Sequence, residues 1–182
     1  MTGSFEEDEE TRGDARWAPL FHHGVGAAGA PGRARLAGWA RAQVTDVVTL
    51  QRREEMAPWL EGACAEAGLR WHHFPLSGRR LEAAGDRSSV ARLIAWTLQM
   101  EQATEPARIM VHCAAGLHRT GVALYVMMRC AGLSPEDALD NIRRARPLTA
   151  DELHRTTRRG GRLVDLAEAL FADASPDAPE GA

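Results

Sequence analysis

The sequence predicts an α/β fold: a single domain in which a central, mostly parallel sheet is flanked by helices, with a loop joining one sheet strand to a buried helix. Three observations carry this. Short runs rich in β-branched or apolar residues, such as 44–50 (Val-Thr-Asp-Val-Val-Thr-Leu) and 109–111, have the length and composition of central strands. They alternate with longer segments whose apolar residues recur every three or four positions, as on one face of a helix. The resulting order of strand, helix, strand, helix, strand, helix is that of a parallel sheet covered on its faces.

Residues 1–16 include Glu6, Glu7, Asp8, Glu9 and Glu10 and little apolar material to bury, so a disordered acidic tail is expected there. The ordered domain is expected to span 17–172, beginning at Trp17. Residues 22–32 are rich in glycine, carry a proline and read as loop. Residues 33–42 place Leu36, Trp39 and Ala40 at helical spacing. After strand 44–50, residues 51–67 read as a helix whose stripe is Met56, Trp59, Leu60, Ala63 and Cys64, ended by Gly68. Residues 69–76 read as a second strand, stopped by Pro75 and the loop Ser77-Gly78-Arg79-Arg80. Ser88 or Ser89 caps a helix that reaches residue 102 and turns Val90, Leu93, Ile94, Thr97 and Leu98 inward. Pro106 separates it from strand 109–111, and 122–128 is almost continuously apolar, as a buried helix is. Gly132 stops that helix. Ser134-Pro135-Glu136-Asp137 then supplies an N-cap, with Pro at the first helical position, for a helix that reaches Ala145 and ends before Pro147. A last helix from Thr149 or Ala150 breaks at Gly160-Gly161 and resumes through Leu163, Leu166, Leu170 and Phe171. Residues 173–182 read as a second disordered tail.

At 182 residues with a net charge of −3, the chain has the size of one domain and no bulk positive charge, so nucleic acid is not an expected partner. No apolar run approaches the roughly 18–20 residues of a membrane span, and residues 1–10 have neither the basic start nor the apolar core of a secretory signal. A soluble, cytoplasmic protein without a membrane partner is therefore expected. Cys64, Cys113 and Cys130 have no CxxC spacing, which speaks against a disulfide framework and a zinc site. The adjacent pairs His22-His23 and His72-His73 would turn their rings to opposite faces of a strand, so neither a metal nor a cofactor is expected.

The chemistry gathers at residues 108–121, Arg-Ile-Met-Val-His-Cys-Ala-Ala-Gly-Leu-His-Arg-Thr-Gly. A loop running from a strand end into a helix N-terminus turns several backbone N–H groups inward, and the helix dipole adds positive potential at the same point. Cys113 at the start of that loop is expected to ionise near neutral pH, because a helix N-terminus and a neighbouring Arg bring cysteines into a range of about 3.5–7.5. Arg119 offers a planar fork to two oxygens of a phosphate. Gly116 lets the backbone approach the anion, and Thr120 is placed to hydrogen-bond the sulfur. Ala114, Ala115, Gly116, Leu117, His118 and Arg119 thus form the candidate phosphate cradle, at the carboxyl end of a strand where open α/β sheets hold their ligands.

His-Cys-x5-Arg-Thr, here His112, Cys113, Arg119 and Thr120, resembles the signature of the cysteine-dependent protein tyrosine and dual-specificity phosphatases. The likeness extends over 44–146, including strand 44–50 and the segment Trp71-His72-His73-Phe74-Pro75-Leu76. It implies a phosphatase P-loop between a sheet strand and a buried helix, with Cys113 as nucleophile, Arg119 as phosphate binder, Thr120 helping to break the phosphocysteine and His112 tuning the thiolate. It also implies metal-independent hydrolysis of a phosphorylated protein or small phosphomonoester, by thiolate attack on phosphorus and then hydrolysis of the thiophosphate.

Where the family carries an Asp soon after the His-x-Pro-Leu-like segment, this chain has Ser77-Gly78-Arg79-Arg80-Leu81-Glu82. The candidate acids are Glu82 and Asp86. Asp86 is preferred because it follows Ala83-Ala84-Gly85 at the mouth of a helix, and a cap or first-turn helix acid is the other role open to it. If neither serves, the chain is a pseudophosphatase or phosphate-binding module; a rhodanese-like sulfur carrier fits Thr120 and the apolar helix less well. The variable loop positions hold no Lys, only His118, which favours phosphotyrosine or mixed phosphoprotein over a polyanionic lipid or an RNA 5′-triphosphate. Cys64 is a candidate disulfide partner of an oxidised Cys113. The run Arg143, Arg144, Arg146, Arg155, Arg158, Arg159 and Arg162 reads as a solvated helix face or as a flank of the pocket.

Overall fold

Val47, Val48, Ile109, Met110 and Val111 are buried almost completely, so the strands that carry them are covered on both sides. These strands are β3 (Asp46–Thr49) and β5 (Arg108–His112), central in a five-stranded sheet completed by β1 (Ala18–Leu20), β2 (His23–Ala28) and β4 (Arg70–His73), in the order β1-β2-β5-β3-β4. Every neighbouring pair is parallel except β1 with β2. The structure, a computed structural model, describes residues 16–77, 83–156 and 160–174. Glu82, residues 78–80, Arg158, Arg159 and most of both expected tails lie outside them.

Alternation along the strands sends successive side chains to different layers. Val47 and Met110 join Leu36, Trp39, Leu60 and Cys64 beneath α1 (Arg33–Arg41) and α2 (Leu60–Glu66). Val48, Ile109, Val111 and Cys113 join the larger core on the other face. That core is built round α4 (His118–Cys130), whose residues from Arg119 to Met128 are all buried. Packed against α4 are α3 (Ala83–Glu101), α5 (Pro135–Ala145), α6 (Pro147–Leu153) and α7 (Leu163–Ala174). Among the described residues no helix is long and apolar enough to cross a membrane.

Several boundaries differ from the sequence reading. The glycine-rich stretch 22–32 is mostly strand β2, and β1 precedes it. A Cβ on Gly26 would stand 3.1 Å from Met110 and 3.3 Å from the Trp17 ring, so the glycine there serves close packing rather than a turn. Of 51–67, only Leu60–Glu66 is α-helical. Residues before it are held in a tight loop in which Gln51 Nε2 donates to the Glu55 carbonyl at 3.0 Å and Arg52 N–H to the Glu55 carboxylate at 2.9 Å. Helix α3 begins at Ala83, ahead of Ser88, and places Asp86 in its first turn. Helix α6 begins at Pro147 and α7 extends to Ala174, beyond the expected domain end at 172. At α5 the predicted cap is present: Ser134 Oγ accepts from the Asp137 N–H at 3.2 Å, with Pro135 at the first position.

Candidate active site

Strand β5 ends at His112 and α4 starts at His118, so residues 113–117 must reverse direction at the carboxyl edge of the sheet. Gly116 makes the reversal with φ +70°, and a Cβ there would overlap the Ala28 carbonyl and the Arg146 guanidinium. The loop carbonyls are tied on the outside. Ala30 N–H donates to Ala114 O at 2.9 Å, Arg146 Nη1 to Ala115 O at 3.1 Å and Gly116 O at 3.0 Å, and Thr149 Oγ1 to Gly116 O at 2.8 Å. With these carbonyls held outward, the N–H groups of the loop are left to face its concave side.

Cys113 lies there with 3% of its surface exposed. Burial alone pushes its thiol up, but the Thr120 hydroxyl and the N–H groups of Thr120, Gly116 and Leu117 outweigh burial and hold it below the ordinary thiol value. Thr120 Oγ1 is buried and has no hydrogen bond of full geometry, so the sulfur is the group whose charge it serves. Cys64 and Cys130 are pushed the other way by burial, to about 11 and about 12. Cys64 also belongs to the α1–α2 layer, whereas Cys113 belongs to the core round α4.

Arg119 is buried against the loop. Its Nη1 donates to Glu55 Oε2 at 2.6 Å and to Leu76 O at 3.3 Å. Burial pushes the Glu55 carboxyl up, but the Arg52 N–H and the Arg119 guanidinium more than reverse this and keep it ionised. The apolar stripe expected for a helix over 51–67 does not include Glu55, so periodicity gives this residue no role. The available signal was its place just after a central strand, at the same sheet edge as Cys113.

His112 is fully buried, with Nε2 2.8 Å from Thr49 Oγ1 and Nδ1 3.5 Å from the Cys113 carbonyl. Burial, aided by the Arg119 charge, lowers it to about 4, so the ring is neutral at physiological pH. His118 is exposed at the rim, its Nε2 2.8 Å from Glu152 Oε2, while Glu152 Oε1 accepts from Arg155 at 2.7 Å.

Asp86 is only 3% exposed. Its Oδ1 accepts from the Ser77 N–H at 2.8 Å and the Ser77 hydroxyl at 3.0 Å, and Ser77 Oγ accepts in turn from Arg52 at 2.8 Å. The carboxylate therefore clasps the residue after Leu76 to the first turn of α3. It stands one residue from a carbonyl that holds Arg119, and among the described residues these Oδ1 bonds go to the Ser77 N–H and hydroxyl rather than towards the loop.

The arginine run divides in the same way. Arg146 clamps the loop and Arg155 supports Glu152, whereas Arg143 and Arg162 pair with Asp140 and Asp165 on the surface.

No curated protein sequence matches the chain. Among solved structures, a mutant form of the phosphatase Tk-PTP superposes with a TM-score of 0.60 at 21% identity, covering 81% of this chain and 88% of the other. Kinase associated phosphatase gives 0.56 at 17%, covering 76% and 90%. The core catalytic domain of the PP-IP phosphatase SIW14 from S. cerevisiae gives 0.50 at 16%, covering 72% and 76%. At these identities the likeness is one of fold. The model of the tyrosine phosphatase family, in contrast, matches residues 28–161 directly, from the end of β2 through the Cys113 loop and its α6 clamp, and by that match the chain belongs to the tyrosine phosphatase family.

Proposed function

We propose that this protein hydrolyses phosphate monoesters, with phosphotyrosine in proteins as the preferred class, through a covalent phosphocysteine on Cys113. The observation that carries this reading is the sulfur itself: a buried thiol whose pKa is lowered rather than raised, under three N–H groups and a hydroxyl. The thiolate attacks phosphorus, the P–O bond to the leaving group breaks, and the departing oxygen takes a proton. Water then attacks the phosphocysteine, the P–S bond breaks, and the Thr120 hydroxyl stabilises the returning thiolate. Both bonds made by Arg119 among the described residues use Nη1, so Nε and Nη2 remain for two phosphoryl oxygens. His118 is the one ionisable side chain at the variable loop positions, and its partner is Glu152. A singly phosphorylated side chain suits this rim better than a polyphosphorylated inositol, which brings far more negative charge.

Asp86 enters this reading as the leaving-group acid, which requires its release from Ser77. Its burial there favours a second reading, a phosphate-binding module that turns over poor leaving groups slowly. One experiment separates the two: steady-state hydrolysis of p-nitrophenyl phosphate beside phosphotyrosine and phosphoserine peptides, with acid-quench trapping of labelled Cys113. Turnover of phosphotyrosine peptide with a trapped phosphocysteine is expected. Turnover of the activated aryl phosphate alone selects the binding module, and no labelled Cys113 with any substrate rejects the covalent hydrolase; absence of phosphate binding as well rejects both.

A further inference from the structure

On the α1–α2 face of the sheet, three side chains on three neighbouring strands form a continuous hydrogen-bonded line that ends at the loop. Trp71 on β4 donates its indole N–H to Thr49 Oγ1 on β3 at 2.9 Å, and Thr49 Oγ1 is 2.8 Å from His112 Nε2 on β5. Strand register explains the line: Val47 pairs with Trp71 and Thr49 with His112, so all three side chains emerge on the same face.

The direction of each bond follows from what the groups can do. An indole nitrogen only donates, and a hydroxyl has one proton. The Cys113 carbonyl only accepts, so His112 Nδ1, 3.5 Å away, carries the ring proton. A neutral imidazole then has an accepting Nε2, and Thr49 must donate to it. Every donor therefore points towards Cys113, and bonds in such a chain polarise one another.

We propose that Trp71 and Thr49 are positioning residues for Cys113, acting through His112 to fix its tautomer and to set the electrostatic field at the start of the loop. This rests on the reading of Cys113 as nucleophile. Thr49 and His112 have no exposed surface, so water cannot replace either bond. Other charged groups bear on the loop: Arg119 from α4, Glu55 on Arg119, Arg146 on the outer carbonyls, Glu152 on His118, and Asp86 on Ser77. Trp71 itself has His73 stacked at 5.2 Å and Arg53 at 5.8 Å. None of these is altered by changing Thr49 to a residue of the same shape.

The test is the pH dependence of Cys113 alkylation by iodoacetate, read by peptide mass, in Thr49→Val, Thr49→Ser, Trp71→Phe and the Val/Phe double variant. Loss of a buried hydrogen bond of ordinary strength should move the midpoint in Thr49→Val up by about 0.5–1 pH unit. Thr49→Ser should restore it. Trp71→Phe should move it in the same direction by less, and should add nothing in the Val background. The ascending limb of kcat/KM should follow the alkylation midpoint. An unmoved midpoint in the folded variants, or Thr49→Ser displaced as far as Val, overturns the relay. If Thr49→Val does not fold, Trp71→Phe and Thr49→Ser still decide. Preferential labelling of Cys64 or Cys130 in the wild type overturns the nucleophile reading instead, which keeps the two failures apart.

Discussion

Cys113 ionises at a pH where Cys64 and Cys130, at about 11 and about 12, remain thiols, because only its sulfur faces a loop of N–H groups. Its folded pKa is depressed, so the thiolate is present above that value and is lost as pH falls through it. The acidic limb of kcat/KM should report this loss. Cys113→Ser should retain phosphate binding and lose turnover on the order of 10⁶-fold, as removal of a catalytic nucleophile does elsewhere. Arg119→Lys should weaken phosphate binding and lower kcat by about 10²–10³-fold, since the fork that meets two oxygens is gone. Isothermal titration with phosphate or vanadate beside steady-state rates checks both. Asp86→Asn divides its two roles. An acid lost from the reaction should cost about 10²–10⁴-fold on phosphotyrosine and little on p-nitrophenyl phosphate. A lost clasp on Ser77 should lower both substrates alike, together with stability.

The loop and the strands that present it depend on contacts that neighbouring elements supply. Gly116→Ala must move both the Ala28 carbonyl and the Arg146 guanidinium, and it must also hold φ +70° with a side chain. Phosphate binding should be lost while the far-ultraviolet circular dichroism stays that of the wild type; unchanged phosphate affinity would contradict the clamp described here. At the opposite edge of the sheet, Asp46 is 1% exposed and bound by Arg70 at 2.6 Å, His72 at 2.8 Å and Thr45 at 2.7 Å. Burial raises this carboxyl, but the bonds from His72, Arg70 and Thr45 hold it well below the usual carboxylate range. Its folded pKa lies below the unfolded value near 3.9. The stability it contributes is therefore complete above about pH 4 and disappears as pH falls through the folded value. Asp46→Asn should cost about 1–3 kcal/mol at pH 7, and thermal melts should show the gap to wild type closing below pH 4.

At the scale of the whole molecule, α7 closes the domain over α4 with Leu163, Val164, Ala167 and Leu170 in the shared core, and one carboxylate adds polar bonds between the two helices. Glu168 accepts from the Tyr125 hydroxyl at 2.7 Å and from Arg129 Nε and Nη2 at 3.1 and 3.0 Å. Tyr125 is 1% exposed, so Glu168→Ala leaves its hydroxyl without a partner. The expected cost is about 1–3 kcal/mol, or a fall of about 2–4 °C in Tm for each kcal/mol in a chain of this length. The kcat should not change, because Glu168 touches no group of the loop; a large fall in kcat at full stability would tie α7 to the chemistry.

Much of this was legible in the chain alone. The strands at 44–50 and 109–111, the helix at 33–42 and the Ser134-Pro135 cap were readable because each rests on local physics: side-chain branching, apolar period, or a hydroxyl placed before a proline. The cradle was readable for the same reason, since Cys113, Gly116, Arg119 and Thr120 lie within eight consecutive residues and their geometry is that of one strand-to-helix turn. Strand β2 was not, because its glycines answer to Trp17 and Met110, packed from other parts of the chain. Glu55 and Thr49 reach Arg119 and His112 from more than sixty residues away. Arg146 and Thr149 reach the loop carbonyls from about thirty. A sequence pattern records what a residue can do within a turn or two of its own backbone. Which acid neutralises Arg119, which hydroxyl sets the His112 tautomer and whether Asp86 faces the cradle or Ser77 are set by strand order and helix packing, which place residues far apart in sequence within hydrogen-bonding distance.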